Sequence, residues 1–408
     1  MAATLTMGAF DAMLKELYPA GVPENVATKR HPFMSMVKKV DDFEGDQLII
    51  PIYYGNPGGR STNFSNAVDN TSSSQSLRWA LTQMSDYAVI GIDALTMRAS
   101  RSNRGAFVNA RKTEIDMMLK GLGNSAAHAL YRDGKGTIGR VAPAPTADPG
   151  GAAFFILADF DDARNFVIGQ RIVFTSDAAG STVVGLTAGY EVSAVDEANG
   201  KITVTGATLH ADVDPDDYVW PLGDNGTTKV TGLAGWLPLT APTAGDSHFG
   251  KDRSVHVNRL AGCRLNATGN SIEENILTLA EDIVRQGGAP DKCFVSHGNF
   301  SNLVKGLGTK VEYNGGGGTA GVGFGGVQIH TSAGPVMVHP DPDCPSNRGY
   351  VLQLDTWALH HLDGFPHIDT LDGNSSQRLS GSDGVQVRAR YWAQLACVAP
   401  GFNGVFAI

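Results

Sequence analysis

Three histidines near the C-terminal end are close enough in sequence to bind one metal ion. His360, His361 and His367 have Asp363 and Asp369 beside them. Imidazole nitrogens and carboxylate oxygens are common ligands of zinc. On a strand, however, the adjacent His360 and His361 point to opposite faces and do not easily share one ion. We therefore predict no metal site here.

A cysteine and a histidine four residues apart form a second chemical candidate. Cys293 and His297 are of the residue types that serve as nucleophile and general base, so a hydrolase is an alternative. Cys293 opens an apolar segment, which favours a position in the core. The cysteines contain no CxxC pair, and their spacing indicates neither a zinc site nor a disulfide framework. They are Cys263, Cys293, Cys344 and Cys397.

Two short motifs match catalytic or cofactor-binding patterns. Residues 321–326 read Gly-Val-Gly-Phe-Gly-Gly, as in GxGxxG dinucleotide-binding loops. That motif requires a preceding strand and a following helix, whereas here glycines precede it and a β-rich segment follows. Ser35 and Lys38 match SxxK, but the SDN and KTG partners of that chemistry are missing from the sequence. We predict no cofactor and no catalytic residue.

An acidic cluster lies in the middle of the chain. A calcium site is one interpretation, although the cluster lacks the glycine and terminal glutamate of an EF-hand loop. A solvated loop is the other interpretation. The cluster consists of Asp212, Asp214, Asp216 and Asp217.

Composition narrows the class of protein. A net charge of -9 over 408 residues argues against a protein whose main partner is a phosphate backbone. Charged residues make up 18% of the chain, below the quarter or so of typical soluble domains, which suggests that surface is buried against other chains. No apolar run approaches the ~20 residues of a membrane span, and no signal peptide is visible. We expect a soluble protein that is made in the cytoplasm.

The N-terminal part predicts an arm followed by a hairpin. Apolar positions 10, 13, 14 and 17 indicate a short helix, and residues 20–32 read as an extended arm. Residues 48–54 and 77–81 read as strands, joined by a long polar connection at 55–76. A lone hairpin is marginal in water. We predict a hairpin that projects from the body and lies on a neighbouring subunit.

A long helix and a β-rich segment follow. Residues 104–132 carry an apolar stripe at helical spacing, would span roughly 40 Å, and end at Asp133 and Gly134, a C-cap signal. After a proline-rich linker, four short strands are predicted, with a hairpin turn at residues 196–200. We interpret residues 150–225 as an inserted all-β domain. The predicted strands are 170–175, 190–195, 201–205 and 218–220.

The remainder mixes helices and strands. Ser271 and Glu274 form a capping box that opens an amphipathic helix at 271–286. The apolar C-terminus, residues 405–408, should be buried in a sheet. The fold class is therefore α+β. Further elements are predicted as a helix at 299–305 and strands at 293–296, 327–331, 336–339, 350–354 and 385–391.

This order of elements resembles the major capsid proteins of tailed double-stranded DNA bacteriophages, the Hong Kong 97-like family. The resemblance covers nearly all of the chain outside the insertion and depends on architecture, since the family has no invariant motif. By this resemblance the chain divides into an N-terminal arm (1–40), an E-loop hairpin with flanking strands (41–100), the spine helix and linker of the peripheral P domain (101–149), the inserted β domain (150–225), a return to the P domain (226–270), the axial A domain (271–375) and a closing P-domain strand (376–408).

The resemblance implies a structural protein and not an enzyme. Subunits would form hexamers and pentamers of an icosahedral virion capsid around double-stranded DNA. Scaffolding, portal and possible cement proteins would be partners, with assembly in the host cytoplasm and no membrane. Some members crosslink an E-loop lysine to a neighbour, but no lysine lies between Lys39 and Lys112 here, so we predict no such bond. The expected intersubunit contacts are Tyr54, Arg60 and Phe64 in the hairpin and Gly321 and Phe324 near the capsomer axis.

Two further alternatives remain open at this stage. An encapsulin-like nanocompartment shell shares the same fold and is the hardest to distinguish. A β-rich adhesin built around residues 150–225 fits the long helix and the apolar C-terminus poorly.

Overall fold

The structure is a computed structural model, and the residues it describes are 4–5, 31–99, 110–142, 153–205, 209, 213–266, 269–307, 327–370, 376–378 and 383–408. Helices and strands are mixed along the chain, which confirms the α+β class. The predictions for residues 10–17, for the arm up to residue 30, for the linker at 143–150, and for Gly321 and Phe324 lie outside the described residues.

The elements are labelled in chain order. The helices are α1 Pro32–Met36, α2 Phe64–Asp69, α3 Ala94–Ala99, α4 Ala110–Ala129, α5 Leu233–Trp236, α6 Val257–Ala261, α7 Ile272–Gln286 and α8 His297–Leu307. The strands are β1 Thr4–Leu5, β2 Lys38–Asp41, β3 Gln47–Gly55, β4 Gln75–Thr82, β5 Met84–Asp93, β6 Asp133–Lys135, β7 Gly139–Arg140, β8 Ala153–Ile156, β9 Arg171–Thr175, β10 Val183–Val184, β11 Tyr190–Asp196, β12 Lys201–Val204, β13 Tyr218–Pro221, β14 Thr227–Thr231, β15 Ser247–His248, β16 Lys251–Asp252, β17 Cys263–Leu265, β18 Lys292–Val295, β19 Val327–Thr331, β20 Gly334–Pro340, β21 Arg348–Leu352, β22 Trp357–Ile368, β23 Gln377–Arg378, β24 Gly384–Cys397 and β25 Gly404–Ala407.

Strands from both ends of the chain form the first sheet, in the order β1-β5-β24-β22-β2, with β23 paired to β24. Helix α4 packs on one face of this sheet, and its stripe of Met118, Leu122 and Ala126 is buried in the core. Alternate residues of β24, among them Ala389 and Tyr391, belong to the same core because a strand exposes every second side chain to one face. The predicted amphipathic helix thus packs on the sheet that contains the predicted closing strand.

The long helix ends earlier than the sequence predicts. Helix α4 stops at Ala129, and Asp133 and Gly134 lie in β6, which pairs with β14. The carbonyls of Leu130 and Arg132 accept hydrogen bonds from backbone N–H groups of the chain entering α5. This tertiary pairing replaces the next helical turn, so the prediction of a helix up to residue 132 is wrong.

Residues 31–41 are fixed to the body. His31 hydrogen-bonds the Asp343 carboxylate through Nδ1 and the Asn124 side chain through Nε2. Burial disfavours the charged imidazole, yet the bond and charge of Asp343 outweigh it and raise the pKa of His31 above its ordinary value. Phe33 is fully buried, and its backbone N–H donates to Asp341 at 3.0 Å. The chain therefore joins the core from residue 31 onward.

The β-rich segment has a sheet and a core of its own. Seven strands pair in the order β7-β13-β9-β11-β12-β8, with β10 on β9. Its separate core includes Phe155, Ile172, Phe174 and Val219. All four predicted strands are present. Strands β7 and β10 have two residues each, too short for a sequence signal, and the four-residue β8 was not predicted. Because β7 pairs with β13, the sheet begins at residue 139, before the predicted start at 150.

A second six-stranded mixed sheet occupies the C-terminal half, in the order β17-β25-β21-β18-β20-β19. Helix α7 begins at the predicted capping box, in which Ser271 and Glu274 satisfy each other's backbone N–H groups. Its residues Ile276 and Leu279 pack against this sheet. Strand β25 lies inside the sheet between β17 and β21, which confirms the predicted burial of the C-terminus.

Candidate assembly surfaces

The hairpin formed by β3 and β4 has a buried inner face. The two strands pair from Gln47 opposite Thr82 to Gly55 opposite Gln75. Ile50, Ile52 and Trp79 on this face belong to the main core of the chain itself. The hairpin was predicted to project from the body and to lie on a neighbouring subunit. Its inner side packs on the body of its own chain, because these side chains are apolar and alternate with period two.

On the outer face of the same hairpin, β3 carries exposed apolar side chains, whereas β4 carries the polar Ser76 and Arg78. Ile49 and Tyr53 alternate with the buried residues of β3 and are 52% and 76% exposed. Pro51 between them is exposed too. Large apolar side chains grouped on one surface typically mark a contact with another molecule. The hairpin thus presents an apolar inner face to its own chain and a row of apolar β3 side chains to the outside.

The connection between β3 and β4 carries the short helix α2. Asn63 caps it by accepting a hydrogen bond from the Ser65 backbone N–H at 2.9 Å. Phe64 and Val68, one helical turn apart, are 84% and 54% exposed and therefore lie on the same side of the helix. The cap makes the end of the hairpin an ordered apolar surface.

The predicted contact residues divide into three groups. Arg60 is exposed in the connection before α2, and Phe64 begins that helix. Tyr54 is partly buried against the core, and its carbonyl accepts a 2.7 Å hydrogen bond from the Arg259 guanidinium. Gly321 and Phe324 lie outside the described residues.

Three exposed residues of this surface were missed by the sequence analysis. Ile49, Tyr53 and Val68 received no prediction, although a signal existed. Residues 48–54 are apolar at nearly every position, and a strand of that kind contacts neighbours on both faces.

The three histidines of the cluster each interact with a different partner. His360 bonds the Asp42 carboxylate, and His361 lies 3.6 Å from Asp41. His367 bonds the carbonyl of Gly364 at 3.3 Å. Within the described part of the chain, no group of three or more His, Cys, Asp and Glu side chains is arranged to hold a metal ion.

Cys293 lies in the centre of the second sheet, where it is fully buried. Burial raises the pKa of its thiol far above the ordinary value, so the thiolate that a nucleophile requires does not form near neutral pH. The other cysteines are buried free thiols as well. The arrangement therefore gives no support to the hydrolase alternative.

The described aspartates of the acidic cluster form hydrogen bonds and ion pairs with nearby residues of the same segment. The carboxylate of Asp217 accepts a hydrogen bond from the backbone N–H of Asp214, and Asp216 forms an ion pair with Arg140. Asp212 lies outside the described residues. Both interactions fit a structured loop better than a calcium site.

A groove of about 370 Å³ lies between the start of α7 and the end of α8. Ser271, Asn302, Leu303 and Leu307 line it together with the C-terminal Ile408. Glu273 is the one titratable group among its described lining residues. A groove of this composition has no acid–base pair for catalysis.

In the described part of the chain no helix is long and apolar enough to span a membrane.

No family model and no curated protein matches the sequence. Among solved structures, the fold is similar to the capsid asymmetric unit of cyanophage A-1(L), with a TM-score of 0.52, 11% identity and 96% of both chains covered. A structure from Mycobacterium phage Bobi is similar with a TM-score of 0.43 and 12% identity, and the match covers 99% of both chains. The holo-SrpI encapsulin complex of Synechococcus elongatus is similar with a TM-score of 0.47 and 5% identity. This match covers 100% of this chain and 96% of the encapsulin chain.

The similarity to the cyanophage structure extends over nearly the whole length of this chain. The chain therefore has the fold of phage major capsid proteins. This confirms the resemblance that the order of its elements indicates.

Proposed function

We propose that the chain is the major capsid subunit of a tailed bacteriophage and assembles into the hexamers and pentamers of an icosahedral shell around double-stranded DNA. The observation that carries the proposal is the phage capsid fold, which extends over 96% of both chains in the comparison with the cyanophage capsid. In this proposal the β3–β4 hairpin is the E-loop, α4 is the spine helix and α7 belongs to the axial domain.

The two-faced hairpin supports this proposal. Covering a side chain such as Phe64 contributes about 1.5–3 kcal/mol, and closed symmetry repeats the same contact in every subunit. A shell built this way needs no covalent bond between subunits, which agrees with the missing hairpin lysine.

The proposed partners follow from the same function. The subunit would contact other copies of itself, scaffolding, portal and possible cement proteins, and packaged DNA without sequence preference. It would be located in the virion capsid, after assembly in the host cytoplasm.

Negative-stain electron microscopy of purified protein, combined with sedimentation, tests the proposal. Uniform closed shells are expected, or capsomer rings that close when a scaffolding protein is added. A folded monomer that never assembles, even in phage lysate, would refute it. Shells that enclose a protein cargo and exclude DNA would favour the nanocompartment alternative.

A further inference from the structure

A buried histidine lies where the hairpin meets the body. Trp79 of β4 packs edge-to-face against Trp236 of α5 and against His248 of β15, with ring centroids 5.7 and 5.4 Å apart. The His248 ring is also 4.7 Å from Trp236 and 4.5 Å from Phe249. His248 is therefore a shared contact of the hairpin and the body.

The surroundings of His248 suit a neutral imidazole. The residue is 8% exposed, and its Nε2 atom has no hydrogen-bond partner among the described residues. Burial, and secondly the positive charge of Arg253, lower the pKa of His248 well below its ordinary value of 6.5. A proton added here would place a second cation beside Arg253 in an aromatic environment.

Two of the neighbouring charged groups, Arg253 and Asp252, are engaged in other contacts. Arg253 donates to the carbonyl of Gly235 and pairs with Asp246 at 3.1 Å. On β16, Lys251 lies opposite His248 in the ladder, and the carboxylate of Asp252 accepts from the backbone N–H groups of Gly245 and Ser254.

The strand and helix packed on the ring add no acidic group. On β4, Arg78 is exposed and points away from the face that holds Trp79. Helix α5 contains no ionisable residue. Neither element therefore supplies a carboxylate that could accept a hydrogen bond from the protonated ring of His248.

We propose that His248 is a pH-sensitive latch that holds the base of the β3–β4 hairpin on the body when neutral and releases it when protonated. The docked state excludes the proton, whereas the released state binds it with ordinary histidine affinity. The docked hairpin therefore has its full stability above about pH 6.5. This stability decreases as the pH falls from there towards the lowered pKa of His248 in the docked state. The inference concerns the single chain and does not depend on the proposed function.

Hydrogen–deuterium exchange of β4 peptides in unassembled protein tests the latch. Labelling at about pH 7.5 and about pH 5.5, with times scaled for intrinsic exchange, should show about tenfold lower protection at the acidic pH. His248→Phe keeps an aromatic ring but cannot be protonated, so its protection should change less than twofold. His330→Gln, at an exposed histidine of β19, should respond like the wild type.

Two results would overturn the latch. One is equal β4 protection of the wild type at both pH values. The other is a tenfold loss in His248→Phe, since that variant cannot take up the proton. If His248→Phe fails to fold, His248→Asn replaces it, because its side chain is also uncharged at both pH values and its protection should likewise be independent of pH.

Discussion

At the residue scale, the hairpin keeps large apolar side chains exposed. Phe64 and Tyr53 are more exposed than a large aromatic ring normally is, and each is held on an ordered element. By contrast, the chemically attractive residues Cys293, His360 and His361 are buried or paired within the chain. At the level of residues, these positions agree better with the proposed shell subunit than with the hydrolase alternative.

A charge at Phe64 should block assembly without unfolding the subunit. In Phe64→Asp the apolar contact is lost, and a carboxylate would have to be desolvated at the interface. We expect the fraction of protein in shells, measured by sedimentation, to fall by about tenfold or more, since losing 1.5–3 kcal/mol per contact has that effect.

Asn66→Asp is the matched control, because it places the same charge on another side of α2. It should assemble like the wild type. Normal assembly of Phe64→Asp would show that the end of the hairpin is not an interface.

Sequence alone predicts only part of this surface. Phe64 and Arg60 were predicted from their position in a long connection, but Ile49 and Tyr53 were missed because a strand apolar on both faces does not reveal which face its own chain covers. The anchoring of Tyr54 by Arg259 was also unpredictable, since 205 residues separate the two partners.

Elements that carry their own local signals are predicted well. Helix α7 begins at its capping box and ends at Gly287, which adopts the left-handed conformation with φ of 97°. The end of α4 was predicted wrongly and strand β22 was not predicted. Both are fixed by residues that are distant in the sequence. Residues after Ala129 pair with the segment entering α5, and β22, whose sequence mixes apolar residues with three histidines, is held between β24 and β2.

Removing the cap of α7 should lower stability and leave the fold intact. Ser271→Ala loses the hydrogen bond from the Glu274 backbone N–H, which should cost about 1 kcal/mol of the free energy of unfolding. Urea denaturation of the unassembled subunit measures this change. Ser73→Ala, at an exposed loop position, is the control and should be neutral. An unchanged midpoint in Ser271→Ala would mean that the cap contributes nothing.

Across the whole molecule, the negative charge is concentrated in one region. Residues 153–225 contain twelve acidic and three basic side chains, which gives the full net charge of -9, and the rest of the chain holds 29 of each. The β-rich segment follows α4 along the chain and has a core of its own. In a shell filled with DNA, electrostatic repulsion favours an outward position of this acidic segment.

An epitope inserted in the exposed β11–β12 turn, at residues 197–199, tests this orientation. Antibody should bind intact, DNA-filled shells as strongly as it binds disrupted ones. A matched insertion at the buried β25 should prevent folding and serves only as a negative control. Binding that appears only after disruption would place the acidic segment inside and contradict the charge argument.

The most direct test of the account is a cryo-electron microscopy reconstruction of assembled shells. The hairpin packs its inner face on its own chain, and its exposed apolar side chains on β3 and α2 are proposed to pack on a neighbour. The account predicts that Ile49, Tyr53 and Phe64 become buried against an adjacent subunit, while Trp79 keeps its contact with Trp236. Shells in which these three side chains stay exposed to solvent, or a protein that forms no shells at all, would contradict it.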